Sequence, residues 1–478
     1  MRPFPPIFGL AAPFVPVMGV LGACFVSCGP SASSDDLPPP VILISLDTVR
    51  ADCIGVYGAP EGSTPALDAF SLGADRYETC TSAAPWTMPS HASLFTGLYP
   101  FEHGAHSFLP PDDATGDNVF ALNDRFKTLA EALQGNGYRT GGVVSNAIYL
   151  RPELGLDQGF ADWDVERAPA PEINRRALAW LDKDRSSGRP TFLFVNYMDA
   201  HRPYRTGDPE KLVNQHLDRL LFEVMNQGEL DPELAALVES LHQKAVTRLD
   251  AELERFFDGL KERGLFDDSL IVVTSDHGES FGAHAIVEHS KDVYEDTVQV
   301  PLIVKLPGQR SGRVIRDRAS SVHVAGLIAG ALGGTDAETL SDLFPRVPGP
   351  TAENVLVENY YSRLKDLQRF GDRFKRRRWA LYDGSIKLIA GSDNGVELYD
   401  LSTDPGELTN LAEERSSVTE RLLGELQARL GGPTAYEGDP VFPGNLTDRQ
   451  RADFDQLGYG GSGGDRGNDA EPKENAPR

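Results

Sequence analysis

The chain has 478 residues, 40% hydrophobic and 24% charged, with 46 Lys plus Arg against 71 Asp plus Glu and a net charge of −25. This is an ordinary globular composition, long enough for a large core in roughly two to three domain-sized units, and it excludes a fibrous or disordered chain. The acidic balance also excludes a nucleic-acid scaffold, because phosphate backbones need a cationic surface.

Arg2 is the only charge before an apolar stretch from Phe4 to Val26 that is broken by Pro5, Pro6, Pro13 and Pro16. The stretch is too interrupted for a membrane span and reads as a secretory signal over residues 1–28. Leu21-Gly22-Ala23-Cys24 and Phe25-Val26-Ser27-Cys28 both resemble bacterial lipoprotein cleavage sites. Cys28 is preferred because residues 29–40 then form a polar tether; Cys24 and an ordinary cleaved signal remain as alternatives. The expectation is an exported protein of the bacterial periplasm or envelope, in contact with the membrane through a lipid anchor. Cys53 and Cys80 are the other cysteines and support no disulfide assignment; structural-zinc spacing is absent.

Val41 to Leu46 is a continuous apolar run, the pattern of a strand covered on both faces, and it stops at Asp47-Thr48. Thr64 to Ala74 predicts a helix with Thr64 as cap and Pro65 at its first position. In Pro85-Trp86-Thr87-Met88-Pro89-Ser90-His91, Thr87 precedes a short helix over Ser90 to Phe95 that Gly97 stops. Such a helix start aims N–H groups at an anion, which makes Thr87 a candidate nucleophile; the milder alternative is that Thr87 only caps the helix. His103 follows in a loop. Arg125 to Gln134 predicts an amphipathic helix, and Tyr138 to Ser145 a strand that finishes at Asn146.

Thr191 to Tyr197 is a second apolar strand, and it empties into Asp199-Ala200-His201-Arg202-Pro203-Tyr204. A long helical stretch ends at Gly264. Leu270 to Ser275 is the third apolar run, and it ends at Asp276-His277-Gly278-Glu279. If the three strands are neighbours in one parallel sheet, Asp47, Asp276 and His277 converge on one rim, where Thr87 and His201 join them. Carboxylates with a neutral imidazole suit a divalent cation; singly, each Asp reads as a cap and each His as a core residue.

Glu288-His289-Ser290-Lys291 is a loop whose His289 and Lys291 are candidates for contact with a substrate anion. A strand over Val298 to Leu306, interrupted by Pro301, and a helix over Ser321 to Leu332 follow. The basic run Arg373 to Trp379 reads first as a solvated loop and alternatively as a grip on an anionic substrate or lipid headgroup. Residues 351–436 predict a smaller antiparallel sheet, with a hairpin over Ala380 to Ile389, a strand over Val396 to Leu401 and a closing helix over Leu411 to Leu430. The tail 437–478 is Gly-, Asp- and Pro-rich and is expected to be disordered at least from 458.

Ile44-Ser45-Leu46-Asp47-Thr48-Val49-Arg50-Ala51-Asp52, Thr87 to Gly97, Tyr197 to Tyr204, Ser275 to Glu279, and Lys387-Leu388-Ile389 with Glu397 to Leu401 and Asp404-Pro405 to Leu411 together resemble the sulfatase family of the alkaline phosphatase superfamily. The resemblance implies an α/β fold: an alkaline-phosphatase-like, mostly parallel central sheet flanked by helices over 41–350, with a smaller C-terminal α+β subdomain. It implies a divalent metal held by Asp47, Thr48, Thr87, Asp276 and His277. It further implies catalysis by Thr87, His91, His201 and His289, and substrate contacts from Asn146, Asp199, His103 and Lys291.

The sequence departs from that pattern in two places. Sulfatases proper carry a Cys or Ser converted to formylglycine, in a motif ending in Arg, where this chain has Thr87 and His91. Oxidation of Thr would give a ketone, so no formylglycine is expected. Thr48 replaces a second Asp and His277 an Asn, which shifts the metal toward zinc or manganese, with calcium or magnesium possible. This is the pattern of superfamily phosphodiesterases and of phosphoethanolamine or phosphoglycerol transferases. The leading expectation is an exported metal-dependent sulfatase-like hydrolase acting on a phosphate ester of a small molecule, lipid or glycan, with a sulfate ester as runner-up. The alternatives are a transferase on envelope lipid or glycan and a catalytically silent glycan-binding lipoprotein.

Overall fold

The three apolar runs become the centre of one eight-stranded sheet. In the computed structural model, which describes residues 37–109, 118–183, 185–333, 340–349, 352–431 and 439–441, its strands are β1 (Val41–Leu46), β2 (Asp75–Tyr77), β3 (Arg139–Val144), β4 (Asp162–Val165), β5 (Thr191–Tyr197), β6 (Leu270–Thr274), β7 (Leu302–Lys305) and β8 (Val314–Ile315). They lie in the order β8-β2-β7-β6-β1-β5-β3-β4. The signal, the tether up to residue 36, Cys24, Cys28 and nearly all of the 437–478 tail fall outside the described residues.

β1 pairs in parallel with both β5 and β6, and Ser45 stands opposite Asn196 on one side and Thr274 on the other. That register is what delivers Asp47, the Asp199–Tyr204 segment and Asp276 to the same rim. β7 alone runs antiparallel to its two neighbours.

Alternation along the strands feeds two cores. Val41, Leu43, Phe192, Phe194, Leu270 and Val272 pack against helices α2 (Thr87–Thr96), α3 (Leu129–Gly135) and α7 (Val324–Leu332). Ile42, Ile44, Leu46, Leu193, Val195 and Ile271 pack on the other face against α1 (Pro65–Leu72), α4 (Ala170–Asp182) and α6 (Pro232–Glu262). Each such side chain, fully removed from water, contributes roughly 1.5–3 kcal/mol before chain entropy is set against it. α5 (Glu210–Phe222) packs in a smaller cluster beside α6. A second, antiparallel sheet of β9 (Leu356–Asn359), β10 (Arg378–Asp383), β11 (Ile386–Gly391) and β12 (Val396–Asp400) carries α8 (Ser416–Leu430).

Local chemistry moves several predicted boundaries. At the start of α1 the boundary is the expected one, with Thr64 at the N-cap position and Pro65 first, but the capping bonds differ: Thr64 Oγ1 accepts from Gly55 N, and the buried Asp250 of α6 receives Ala66 N and Leu67 N. α3 starts at Leu129 rather than Arg125, because Thr128 and Glu131 form a reciprocal capping box there. The strand expected over Val298 to Leu306 is two strands in two sheets, Gln299–Val300 against Cys80–Thr81 and β7 in the main sheet, parted at Pro301, which has no N–H for a ladder. The closing helix begins at Ser416, not Leu411.

The basic run is a solvated loop only in part: Arg373, Lys375 and Arg377 are exposed, but several of its cations are held. Arg376 donates to Asp292 and Asp393, Arg378 is buried against Asp292 and Glu397, and Arg373 donates to Ala285 O. These cations fasten the second sheet to the loop that follows His289. Cys53 and Cys80 are both buried free thiols.

Candidate active site

Thr87 is the first residue of α2, one place inside the cap position held by Trp86, so its hydroxyl is not occupied as an N-cap. Thr87 Oγ1 lies 3.3 Å from His277 Nε2 and accepts from Asn146 Nδ2 at 3.4 Å. The same amide donates to Asp47 Oδ2 at 2.9 Å. His277 Nδ1–H donates to Gly278 O, which leaves the Nε2 lone pair 3.8 Å from Asp47 Oδ1 and 3.4 Å from Asp276 Oδ2.

Asp47, Asp276 and His277 each offer a ligand atom within 4.8 Å of the others, and all three are buried. Asp47 Oδ1 and Asp276 Oδ2, the two oxygens facing His277 Nε2, have no hydrogen-bond partner. Two carboxylate oxygens and an imidazole nitrogen converging in a buried site fit a divalent cation. The acid–base balance agrees. Burial and the neighbouring Asp276 push the Asp47 carboxyl up to about 8, burial pushes Asp276 up to about 7, and burial holds His277 below its usual value. Thr48 lies beside this group; its hydroxyl donates to Asp47 O while its N–H donates to Asp276 Oδ1, so it shapes the turn. Its φ of 62° puts a non-glycine residue in the left-handed region at the strand end.

His289 and His201 extend the constellation. The His289 ring centroid is 4.4 Å from that of His277 and 5.2 Å from that of His201. His289 Nδ1 donates to Glu279 Oε1 at 3.0 Å, and His201 Nδ1 donates to Arg202 O at 2.8 Å. Both imidazoles are neutral: burial takes His201 down to about 3 and His289 well below its ordinary value.

The remaining expected residues take other places. His91 braces Thr87, with Nδ1 donating to Thr87 O and Nε2 accepting from Ser45 Oγ, so it is a positioning residue. His103 donates from Nε2 to Ser93 Oγ and accepts Ala105 N at Nδ1, which leaves neither nitrogen for a substrate. Lys291 is buried, with its ammonium near Glu288, Asp366 and His289 O. Asp199 faces a different cavity, lined also by Arg205 and Arg248.

Sequence reasoning assigned no role to Glu279, Glu288, Arg202 or Arg363. Glu288 receives Arg202 at 2.7 Å and Arg363 at 3.0 Å, and Arg363 also donates to Asp366. Arg202 and Glu288 adjoin His201 and His289 in sequence, and charged neighbours of buried histidines were the available signal. Arg363 arrives from far along the chain and gave none.

A sheet with carboxylates, an imidazole and a hydroxyl gathered at its carboxyl rim fits a hydrolase of the alkaline phosphatase superfamily, and the relatives below indicate one acting on sulfate or phosphate esters. Comparison with known proteins agrees: residues 39–334 match the family model described as Sulfatase, and the chain belongs to the sulfatase family. It is 25% identical to an ulvan-active sulfatase of Formosa agariphila, over 89% of this chain and 87% of that one. Among solved structures, the phosphonate monoester hydrolase of Agrobacterium radiobacter superposes with a TM-score of 0.62 at 19% identity, covering 84% of this chain and 99% of that one. A structure bound to its substrate D-glucosamine-2-N,6-O-disulfate superposes with a TM-score of 0.61 at 17% identity, covering 83% and 99%.

Proposed function

We propose that this protein hydrolyses a phosphate ester through Thr87, with Asp47, Asp276 and His277 holding a divalent cation. The observation that carries the proposal is the position of the Thr87 hydroxyl, 3.3 Å from His277 Nε2 and free of any cap role. When bound, the cation lowers the pKa of the attacking hydroxyl and offsets charge on the transferred group, and an imidazole with two carboxylates favours zinc or manganese.

The side chains then divide the work. Thr87 Oγ1 forms the bond to phosphorus as the bond to the leaving alkoxide breaks. Asn146 Nδ2 orients both Thr87 and Asp47. The proton lost by Thr87 is the one the leaving alkoxide gains, and the neutral imidazoles of His289 and His201 supply its path. Water then attacks phosphorus and the bond to Thr87 Oγ1 breaks, releasing phosphate; His289 Nε2 takes the water proton, with Glu279 holding the opposite nitrogen, and that proton returns to Thr87 Oγ1. Asn146, His201 and His289 are thus the residues that meet substrate or reacting water, and His91 holds the nucleophile in place. Export and lipid anchoring through Cys28 belong to the same proposal; no described helix is long and apolar enough to cross a membrane.

A sulfate ester is the second reading, favoured by a relative described as an ulvan-active sulfatase and a structural neighbour bound to a disulfated glucosamine. The test uses aryl phosphate monoester, phosphodiester and sulfate substrates with the metal-loaded protein. Phosphoester turnover is expected, lost on chelation and at least ~10³-fold lower in Thr87→Ala. Sulfate turnover alone would replace the first reading with the second. Full activity of Thr87→Ala would remove Thr87 as nucleophile.

A further inference from the structure

Thr48 carries more of the metal site than its place after a strand suggests. Its N–H donates to Asp276 Oδ1 at 3.3 Å and its hydroxyl to Asp47 O at 2.7 Å, so one residue links the backbone of one acidic residue to the side chain of the other. Val49 N, bonded to Ser275 Oγ at 3.1 Å, fixes the chain just beyond. A φ of 62° is unfavourable for a β-branched residue such as Thr48 and persists only where the surroundings over-determine it. The remaining handle on this residue is its carbonyl.

That carbonyl accepts from His242 Nε2 at 3.1 Å. His242 belongs to α6 and is fully buried. Its ring stands edge-on to Tyr204, with centroids 5.2 Å apart, and 5.3 Å from the ring of Phe281. On its other side Nδ1 lies 3.7 Å from Cys53 Sγ. Burial pushes the Cys53 thiol up to about 12 and takes His242 down to about 4, so the thiol keeps its proton and the imidazole is neutral, with a single N–H. A carbonyl can only accept, which puts that proton on Nε2 and turns the Nδ1 lone pair to the Cys53 S–H. The donors therefore run in one direction: Cys53 to His242, His242 to Thr48 O, and Thr48 N to Asp276.

We propose that His242 is a positioning residue for the bound cation: by holding the Thr48 carbonyl it keeps Asp47 and Asp276 at the spacing a divalent ion needs, an inference that rests on reading Asp47, Asp276 and His277 as the metal ligands. His242 is not itself a ligand, since its two nitrogens are engaged by Cys53 and Thr48. Through this one bond α6, which otherwise covers a face of the sheet, sets the affinity of a site to which it lends no ligand. Groups that orient metal ligands from outside change metal affinity by roughly 10–100-fold when they are removed.

The test is calorimetric titration of metal-free, full-length protein with manganese and, separately, with zinc, using Asp47→Asn as the blank for binding elsewhere. Glutamine and methionine match each other in length, but only glutamine has an N–H to offer Thr48 O. His242→Met is expected to weaken metal binding ~10-fold, the low end of that range, and His242→Gln to stay near the parent. Both variants lose the ring against Tyr204 and Phe281, so both should melt lower than the parent in chelator and by similar amounts; a merely structural role would move this reading alone. Should His242→Met not fold, His242→Phe, which keeps the ring and loses both nitrogens, takes its place against His242→Gln. The proposal is overturned if the variant without a donor and His242→Gln bind metal equally, whether both as tightly as the parent or both weakly. A parent that binds neither metal would instead remove the metal reading, and this inference with it.

Discussion

Asp47 shows what the site asks of a single residue. Its carboxyl has Asn146 on one oxygen and no protein partner on the other, and it is fully buried. Asp47→Asn removes a carboxyl whose ionisation burial and Asp276 oppose. In the absence of metal the variant should melt higher than the parent, whereas added zinc or manganese, which should raise the melting temperature of the parent, should leave the variant unmoved. Differential scanning fluorimetry with and without chelator checks both halves. Asp47, Asp276 and His277 were legible because each follows an apolar run, and strand ends in open α/β sheets gather ligands. The hydrogen bonds that Thr48, His103 and Lys291 make were not legible, for one reason. Sequence gives residue type, but which hydrogen bond a hydroxyl, imidazole or ammonium makes is decided by tertiary neighbours such as Asp47 O, Ser93 and Glu288.

Elements built on hydrophobic periodicity were read well, and their ends less so. The parallel order of β6, β1 and β5 was written in three uninterrupted apolar runs. The start of α1 at Pro65 was legible too, but not the group that caps it, since Asp250, which accepts from Ala66 N and Leu67 N, comes from another helix. β9 carries a comparable long-range feature in Glu358, buried between Phe101 N and the Tyr360 hydroxyl, with its carboxyl pushed from 4.5 up to about 8 by burial. The folded state then holds a proton that the unfolded chain releases above about pH 4.5. Glu358 therefore costs stability progressively as pH rises from about 4.5 through about 8, and the cost levels off above that. Glu358→Gln should raise the melting temperature relative to the parent above pH 8 and change it little near pH 5. Thermal melts across that range check the difference.

Across the whole molecule, the second sheet does more than close the fold. The segment after β9 brings Arg363 to Glu288 and Asp366, and Ser362 donates to Ser290 O, so the His289 loop is held from a distant part of the chain. Positive φ at Glu288 and Ser290, on either side of His289, marks a backbone kept in shape by these contacts. Arg363→Met would leave two buried carboxylates short of a cation. It should lower stability by roughly 3 kcal/mol, measured by denaturant unfolding. Nothing in the local pattern around Arg363 announced this role, because a pairing across such a sequence separation is fixed only when both sheets have formed.

The account rests most directly on Thr87 as an unmodified nucleophile. Acid-quenching the metal-loaded enzyme during turnover of a phosphate ester, followed by peptide mass mapping, tests it. The account predicts a phosphoryl group on Thr87 that disappears when substrate is omitted and in Thr87→Ala; a phosphoryl group on another residue, or steady turnover in Thr87→Ala, would contradict it.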